Sequence, residues 1–326
     1  MEQTSHELPG AGTCALVTGA TGFIGRHLVD RLLVLGVSVS VLARPGRDIP
    51  TPWHGRVAVI ECSDWTLTGL RRAVAAHSFE SVFHLAAYGV PPTDRDLDLI
   101  MRINVELPAA LVRLCRERGA NLVMTGTFSE YGRPAGRARL TEQSPLQSAK
   151  IYGSSKAAGG LLATALAAEL DVRFRLLRLF KVYGVGEAPH RLLPSLIASL
   201  PQGQRVALSA GTQVLDFVYV KDAVDACVRA DADMAAQSRP ASATWNVCTG
   251  KGHSVQAFAS TVAQALGAPT ELLGFGDIAM RPDDEPRLVG SPERMHAETG
   301  WRTAYDLDTG VRDAVASFRT ASCSLP

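Results

Sequence analysis

The 326-residue sequence has no excess of charge of either sign, with 33 basic and 32 acidic side chains and a net charge of +1. Proteins that bind nucleic acids or membrane surfaces usually concentrate basic residues, so we expect no nucleic acid and no membrane partner. No apolar run reaches membrane-spanning length, and the first ten residues lack the pattern of a secretion signal. These absences favour a protein that acts on small molecules.

The sequence also lacks any Cys-x-x-Cys pair. Its cysteines are far apart, which suits reduced thiols in the cytoplasm better than disulfides or a zinc site. We therefore expect a cytoplasmic protein with no metal site. The cysteines are Cys14, Cys62, Cys115, Cys227, Cys248 and Cys323.

Apolar segments of strand length alternate with helical segments through the first half of the chain, which predicts an α/β fold with a doubly wound parallel sheet. The predicted strands are "CALVTG", "SVSVLA", "VAVIE", "SVFHLAA", "NLVMTG" and "RFRLLRLF", and the predicted helices span about 23–35, 66–76, 97–118 and 153–170. The alternation weakens after residue 180. We therefore predict a dinucleotide-binding Rossmann domain over 10–180, which also receives segments around 213–250. A smaller α/β domain over 181–320 would mainly bind substrate.

The first predicted strand runs into the glycine-rich segment "GATGFIG", and an amphipathic helix follows directly. Glycines permit a tight turn, and the free N–H groups of a helix N-terminus attract a pyrophosphate. This order of strand, turn and helix predicts dinucleotide binding rather than a simple turn. The candidate cofactor-binding residues here are Gly19, Gly22, Phe23, Ile24 and Gly25.

The second predicted strand ends without the acidic residue that binds the ribose 2′-hydroxyl of NAD. Arg44 and Arg47 follow it instead, and a guanidinium there suits the 2′-phosphate of NADP. We predict NADP, with NAD as the alternative if both arginines are merely exposed to solvent. Asp64, after the third strand, would either contact the adenine or cap the next helix.

The segment "YGSSK" places Tyr152 four residues before Lys156 at the start of a predicted helix. Residues at this spacing lie on the same helix face. Taken alone, the pair is either an exposed helical pair or two groups that act on one small space.

Together, "GATGFIG" and "YGSSK" resemble the extended short-chain dehydrogenase/reductase family, in its nucleotide-sugar epimerase, dehydratase and reductase branch. The resemblance covers nearly the whole chain. Further matching segments are "VFHLAA", "INVELPAAL", "TGTFSEYG", "RLFKVYG", "DFVYVKDAVDA", "WNVCTG" and "RPDDEPRL". The resemblance implies an enzyme that uses a nicotinamide cofactor.

In this family the tyrosine is the acid/base, so the resemblance makes Tyr152 the proton donor or acceptor. Lys156 would favour its phenolate and hold the nicotinamide ribose. Thr127, four residues before the tyrosine of "EYG", would steady the reacting oxygen. Asn104 would support the hydrogen-bond network or be an ordinary buried polar residue, and His84 is expected to be structural. Three further cofactor contacts are expected at Leu85, Ala86 and Ala87.

Dehydratases of this branch carry an acid pair directly after the threonine, whereas this chain has Phe128 and Ser129. Glu130, one position further, is expected to project differently, so dehydration is disfavoured. We predict reduction by NADPH of a keto group, C4 of a nucleotide-linked 4-keto-6-deoxysugar, with the proton from Tyr152. The alternatives are an NAD-dependent nucleotide-sugar 4-epimerase and a non-catalytic NADP-binding redox sensor.

The predicted partner is therefore a nucleotide-diphosphate sugar. Two family positions that bind substrate phosphates hold Lys181 and Leu215 here; the lysine can act as a point charge, but the leucine cannot. The candidate substrate contacts are Thr127, Ser129, Lys181, Arg191 and Arg281, of which the last two are otherwise surface arginines. The helices near 97–118 and 157–169 predict a homodimer, although packing within one chain would explain their small residues equally well.

Overall fold

The computed structural model describes residues 10, 12–91, 93–133, 136–239, 241–280 and 285–323. The strands are β1 (Cys14–Thr18), β2 (Ser38–Ala43), β3 (Val57–Glu61), β4 (Ser81–His84), β5 (Asn121–Thr127), β6 (Phe174–Leu179), β7 (Lys181–Tyr183), β8 (Val206–Leu208), β9 (Val214–Leu215), β10 (Phe217–Tyr219), β11 (Ser242–Val247), β12 (His253–Ser254), β13 (Leu273–Phe275) and β14 (Arg287–Leu288). The α-helices are α1 (Phe23–Val34), α2 (Leu67–Ala73), α3 (Leu97–Met101), α4 (Leu107–Arg118), α5 (Ile151–Glu169), α6 (Leu192–Ser199), α7 (Val220–Ala236), α8 (Val255–Leu266), α9 (Glu293–Thr299) and α10 (Leu307–Cys323).

A seven-stranded parallel sheet organises the fold, with the strand order β11-β6-β5-β4-β1-β2-β3. Its central strands are buried on both faces, which explains why they read as continuous apolar runs. One core cluster includes residues of α1 and α7, and another includes residues of α2, α4 and α5. The predicted doubly wound sheet and its first six strands are confirmed.

The strand order reverses direction between β1 and β4, where the chain crosses from one half of the sheet to the other. Ligands of open α/β sheets bind beyond the carboxyl ends of the strands at such a point. The glycine turn after β1 and the segment after β4 meet there. The topology therefore places a ligand site at this edge before any side chain is considered.

The helix predicted over 97–118 changes its geometry in the middle. α3 ends at Met101, a π-helical turn spans Arg102–Glu106, and α4 continues from Leu107. Such turns are rare and frequently lie at functional sites. Asn104 lies in this turn, completely buried.

The segments after Lys181 form three small sheets, which pair β7 with β10, β8 with β13, and β9 with both β12 and β14. Their core is aromatic, with the rings of Phe217 and Phe258 stacked at 4.3 Å and Tyr183 packed edge-on against Phe258 at 5.1 Å. β11 returns to the large sheet beside β6. Over the described ranges, no helix is both long and apolar enough to span a membrane.

Candidate active site

The glycine turn after β1 packs directly against the segment that follows β4. Gly19 has φ +71°, and a Cβ there would lie 2.5 Å from Ala86 N. A Cβ on Gly25 would lie 2.2 Å from Gly19 O. Since real Cβ atoms do not approach so closely, both positions require glycine for the turn to close. The turn and the segment beginning at Leu85 therefore form one backbone surface.

Helix α1 begins immediately after this turn, with Gly22 as its N-cap. Within the described residues, no side chain caps this end and no acid occupies the first turn. Its N–H groups and the positive end of the helix dipole therefore fit the pyrophosphate of a dinucleotide. Phe23 and Ile24 are half-buried and pack against the aromatic core of the second part of the chain.

Exposed arginines surround the outer side of the glycine turn. Arg47 Nε donates a hydrogen bond to Thr21 Oγ1 at 3.1 Å, and Arg26 Nε donates to Thr21 O at 3.0 Å. Arg44 is also exposed. Sequence reasoning did not single out Arg26, although its place one turn into the helix after the glycines was a usable signal.

Asp64 lies after β3, where its carboxylate accepts a hydrogen bond from Thr66 N at 3.0 Å. Hydrogen bonding to the Thr66 side chain, and then to its backbone N–H, holds the pKa of Asp64 below its ordinary value. The cap of helix α2 is Thr66, whose hydroxyl accepts from Gly69 N at 3.2 Å. The alternative that Asp64 itself caps the helix is therefore wrong, because the helix begins at Leu67, three residues after Asp64.

Lys156 is the most unusual side chain of the site. It is 1% exposed, and its Nζ has no hydrogen-bond partner among the described residues. Burial lowers its pKa to about 8, and the charge of Glu130 opposes that effect. A buried cation without a partner is costly for the folded protein. Its donors therefore fit the hydroxyls of a bound cofactor ribose, which would supply the missing partners.

Tyr152 lies one helical turn before Lys156, at the start of α5. Burial raises the pKa of its hydroxyl; Glu130 raises it further, whereas Arg191 lowers it. The phenol is thus protonated at neutral pH in the free protein. It can give up a proton only when nearby positive charge stabilises the phenolate.

Asn104 connects the loop after β4 to helix α5 by hydrogen bonds. Its side chain accepts from Tyr88 N at 3.0 Å and donates to Tyr88 O at 2.8 Å and to Ser155 Oγ at 2.9 Å. Ser155 Oγ in turn donates to Tyr152 O at 2.9 Å. The buried asparagine therefore holds the backbone of Tyr152 in place relative to the cofactor side of the site. Sequence reasoning missed Ser155 and Tyr88, because no local pattern marks either residue.

Thr127 ends β5 beside this helix and is 8% exposed. Its Oγ1 accepts from Ser129 N at 3.2 Å, and its own N–H donates to Glu130 Oε1 at 2.8 Å. Glu130 Oε2 accepts from Arg178 Nε at 2.8 Å. Both carboxylate oxygens of Glu130 are therefore occupied, which agrees with the expectation that it does not project as the acid of a dehydratase.

His84, at the end of β4, is fully buried, and its Nδ1 is paired with Thr18 Oγ1 at 2.7 Å. Burial and the charge of Lys156 lower its pKa to about 3, so the ring is neutral. Its carbonyl accepts from Thr125 Oγ1 at 3.3 Å. These contacts suit the structural role expected for it.

The described residues that were considered for substrate binding lie in or next to β7, α6 and β9. Arg191 precedes α6 and is near enough to lower the pKa of Tyr152. Lys181, in β7, and Arg191 both lower the pKa of Glu187, which burial raises. Leu215 is half-buried in β9 between β12 and β14. Arg281 lies outside the described residues.

Comparison with known proteins identifies the family of the chain. The profile of the NAD dependent epimerase/dehydratase family matches residues 15–248. The chain belongs to this family. It is therefore an NAD(P)-dependent enzyme of the oxidoreductase or epimerase kind.

Relatives of this family enzyme match along nearly its whole length. The UDP-glucose 4-epimerase of Mycolicibacterium smegmatis is 28% identical over 94% of this chain and 99% of its own. The dTDP-6-deoxy-L-talose 4-dehydrogenase (NAD(P)(+)) of Kitasatospora kifunensis is 29% identical over 95% and 96%. The crystal structure of Thermus thermophilus UDP-glucose 4-epimerase in complex with NAD has a TM-score of 0.81 at 28% identity, over 95% and 100% of the two chains.

Proposed function

We propose that the protein reduces a keto group at C4 of a nucleotide-linked 4-keto-6-deoxysugar with NADPH. The observation that carries this proposal is the buried ammonium of Lys156, one turn after Tyr152, which has no hydrogen-bond partner in the described part of the chain. The relatives named above act at C4 of UDP-glucose or of a dTDP-6-deoxysugar by their names. A nucleotide sugar is therefore the proposed substrate.

The reduced nicotinamide, when bound, supplies the hydride that the carbonyl carbon receives. Tyr152 Oη donates its proton to the carbonyl oxygen, so that the carbonyl becomes an alcohol. The ammonium of Lys156 stabilises the phenolate that remains. Thr127 Oγ1 donates a hydrogen bond to the same oxygen, and Asn104 keeps the backbone of Tyr152 in position.

Arg191 and Lys181 are proposed as cationic contacts of the substrate diphosphate. Arg191 is near enough to Tyr152 to lower its pKa. Arg191 and Lys181 both lower the pKa of Glu187. Ser129, beside Thr127, and Arg281 stay predicted substrate contacts. Because Leu215 is apolar, the diphosphate would depend on these residues rather than on the position that the family uses. The substrate would bind between the predicted domains 10–180 and 181–320.

Turnover tests the proposal directly. Purified protein is mixed with NADPH and a set of dTDP- and UDP-linked 4-keto sugars, and oxidation of NADPH is followed at 340 nm. We expect oxidation that depends on the sugar. Binding of NADPH without turnover of any sugar would instead support the redox sensor.

The arginines beside the glycine turn predict a preference for NADP. Replacing both Arg44 and Arg47 by alanine should weaken NADPH binding by about 10- to 100-fold, because hydrogen bonds to a charged group contribute about 1.5–3 kcal/mol. NADH binding should change less than twofold. Fluorescence titration with both cofactors measures this. The matched control is Arg56→Ala, another exposed arginine, and equal weakening of the two cofactors would contradict the assignment.

A 4-epimerase that retains NAD is the second candidate, favoured by the epimerase names and the NAD complex among the relatives. Such an enzyme oxidises and re-reduces the same carbon, so it consumes no cofactor. Nucleotide released from the denatured protein distinguishes the two functions. Stoichiometric NAD would favour the epimerase, whereas its absence together with NADPH consumption would favour the reductase.

We also propose a homodimer built on the predicted helices. Leu161 and Leu162 of α5 are 59% and 42% exposed, and Leu97 and Met101 of α3 are 59% and 43% exposed. Large apolar side chains grouped on contacting helices mark an interaction surface. Leu161→Glu should therefore convert a species of two 34.7 kDa chains into a monomer in sedimentation velocity. Val34→Glu, at an exposed position of α1, should leave the dimer intact, and a wild-type monomer at micromolar concentration would refute the proposal.

A further inference from the structure

A buried ion pair joins the backbone at Thr127 to the neighbouring strand β6. Glu130 is 0% exposed, and its side chain pairs with Arg178, which is 6% exposed at the side chain. Removing one partner of such a pair leaves an uncompensated buried charge, which strongly destabilises the folded protein. Stability alone therefore does not explain why Glu130 and Arg178 are buried here, because apolar residues would stabilise the core at least as well.

The position of the Glu130 carboxylate depends on Gly126. A Cβ at residue 126 would lie 2.5 Å from Glu130 Oε1, so a larger residue would displace the carboxylate. Gly126 is the register partner of Arg178 across β5 and β6. The missing side chain thus leaves the space in which the carboxylate meets both the guanidinium and Thr127 N.

Arg178 is itself held firmly in place. Its guanidinium donates to Tyr131 Oη at 3.1 Å and to Glu142 O at 3.3 Å, and it lies 5.0 Å from the centre of the Tyr131 ring. Tyr131 Oη donates to Asn246 Oδ1 at 2.6 Å, which links the pair to β11. The charge of Glu130 is therefore fixed at one place relative to the catalytic helix.

The short 3-10 turn Phe128–Glu130, which follows Thr127, packs against the start of α5, because a Cβ on Gly153 would lie 2.1 Å from Ser129 O. Glu130 raises the pKa of Tyr152 and also that of Lys156. The other charged or titratable groups that act on the pair are Arg191, which lowers the pKa of Tyr152, and neutral His84 next to Lys156. Glu130 is thus the negative charge that favours the protonated state of both groups.

We propose that Glu130, held by Arg178, is a positioning residue. It fixes the backbone turn that follows Thr127, and it provides the counter-charge for Tyr152 and Lys156. This role rests on the proposed function, because a reductase needs the tyrosine protonated and the lysine charged when substrate arrives. The two charges act at different stages: Glu130 keeps Tyr152 protonated before the transfer, whereas Lys156 stabilises the phenolate once the proton has left.

The test follows the titration of Lys156 by NMR in protein labelled with [13Cε]lysine. The chain has only 5 lysines, and the resonance of Lys156 is identified by its loss in Lys156→Met. In Glu130→Gln, the midpoint should fall by about one pH unit from its value near 8, because the buried negative charge that favours the ammonium is removed. The midpoint in Glu130→Gln/Arg178→Met should lie between those of the single variant and the wild type, because the remaining positive charge is also removed.

The matched control is the second buried ion pair of the same strand. Arg175 and Asp233 are paired at 2.6 Å, with side chains 2% and 6% exposed, at the other end of β6. Asp233→Asn should destabilise the protein without moving the Lys156 midpoint. If Glu130→Gln moves the midpoint no further than Asp233→Asn, Glu130 is only structural and the proposal is overturned.

The double variant also guards against a single variant that does not fold, because replacing a whole buried pair by neutral groups is often neutral or stabilising. A midpoint in the double variant equal to that of the wild type would overturn the proposal. The titration needs no substrate, so it is independent of the proposed function. A midpoint that shifts as expected supports the counter-charge role even if no 4-keto sugar is turned over. The lack of turnover would contradict only the proposed reductase function.

Discussion

Tyr152→Phe is expected to lower kcat by about 10²–10⁴-fold, the usual contribution of a positioned general acid. The substitution removes only the hydroxyl, so the ring keeps its place at the start of α5. Since Lys156 and the glycine turn are untouched, the dissociation constant for NADPH should change less than twofold. Steady-state kinetics together with cofactor titration measure both quantities.

The control for this substitution is Tyr305→Phe, in the loop before α10. Tyr305 packs against Tyr219 at 4.8 Å, away from the catalytic helix, and its loss should leave kcat unchanged. Equal turnover by wild type and Tyr152→Phe would show that the proton comes from another group.

Lys156→Met is expected to abolish turnover and at the same time to stabilise the cofactor-free protein by about 3 kcal/mol at pH 7. The folded-state pKa of about 8 lies below the ordinary value of 10.5, and each pKa unit corresponds to about 1.4 kcal/mol. Methionine fills the space of the lysine stem without a charge that must be buried. Urea unfolding of the cofactor-free proteins measures the free energy of unfolding.

The pH dependence of this stability difference follows from the number of protons that Lys156 binds in the folded and unfolded states. Between about pH 8 and 10.5 the unfolded chain holds more protons at Lys156 than the folded protein does, so wild-type stability rises with pH in this window. The advantage of the methionine variant is therefore full below pH 8 and disappears above about 10.5. Lys251→Met, at an exposed position, should shift stability by less than about 0.5 kcal/mol. A destabilised Lys156→Met would mean that the ammonium has a partner in the folded protein.

The strands of the large sheet and the four-residue spacing of Tyr152 and Lys156 were predictable because both depend on local sequence. Buried parallel strands must be apolar throughout, so segments such as Phe174–Leu179 stand out without knowledge of their neighbours. Tyr152 and Lys156 lie four apart on one helix, a relation that sequence shows directly. The glycine turn was recognisable for the same reason, since its residues are consecutive.

Contacts between distant segments were not predictable in this way. The pairing of Glu130 with Arg178 joins residues 48 apart and depends on the register that places Gly126 opposite Arg178. The π-helical turn that carries Asn104 looks like ordinary helix in sequence. The approach of Arg191 to Tyr152 depends on how the two parts of the chain fold together, which no local pattern reports.

The proposal that NADPH gives its hydride to C4 of the sugar, with Tyr152 as the proton donor, is tested by transfer of deuterium from nicotinamide-deuterated NADPH. Wild-type protein is incubated with this cofactor and each 4-keto sugar nucleotide, and the product is examined by NMR and mass spectrometry. We expect one deuterium at C4 of the sugar with wild type and about 10²–10⁴-fold less labelled product with Tyr152→Phe over the same time. Product that carries deuterium at another carbon, or product formed equally fast by the phenylalanine variant, would contradict the proposal.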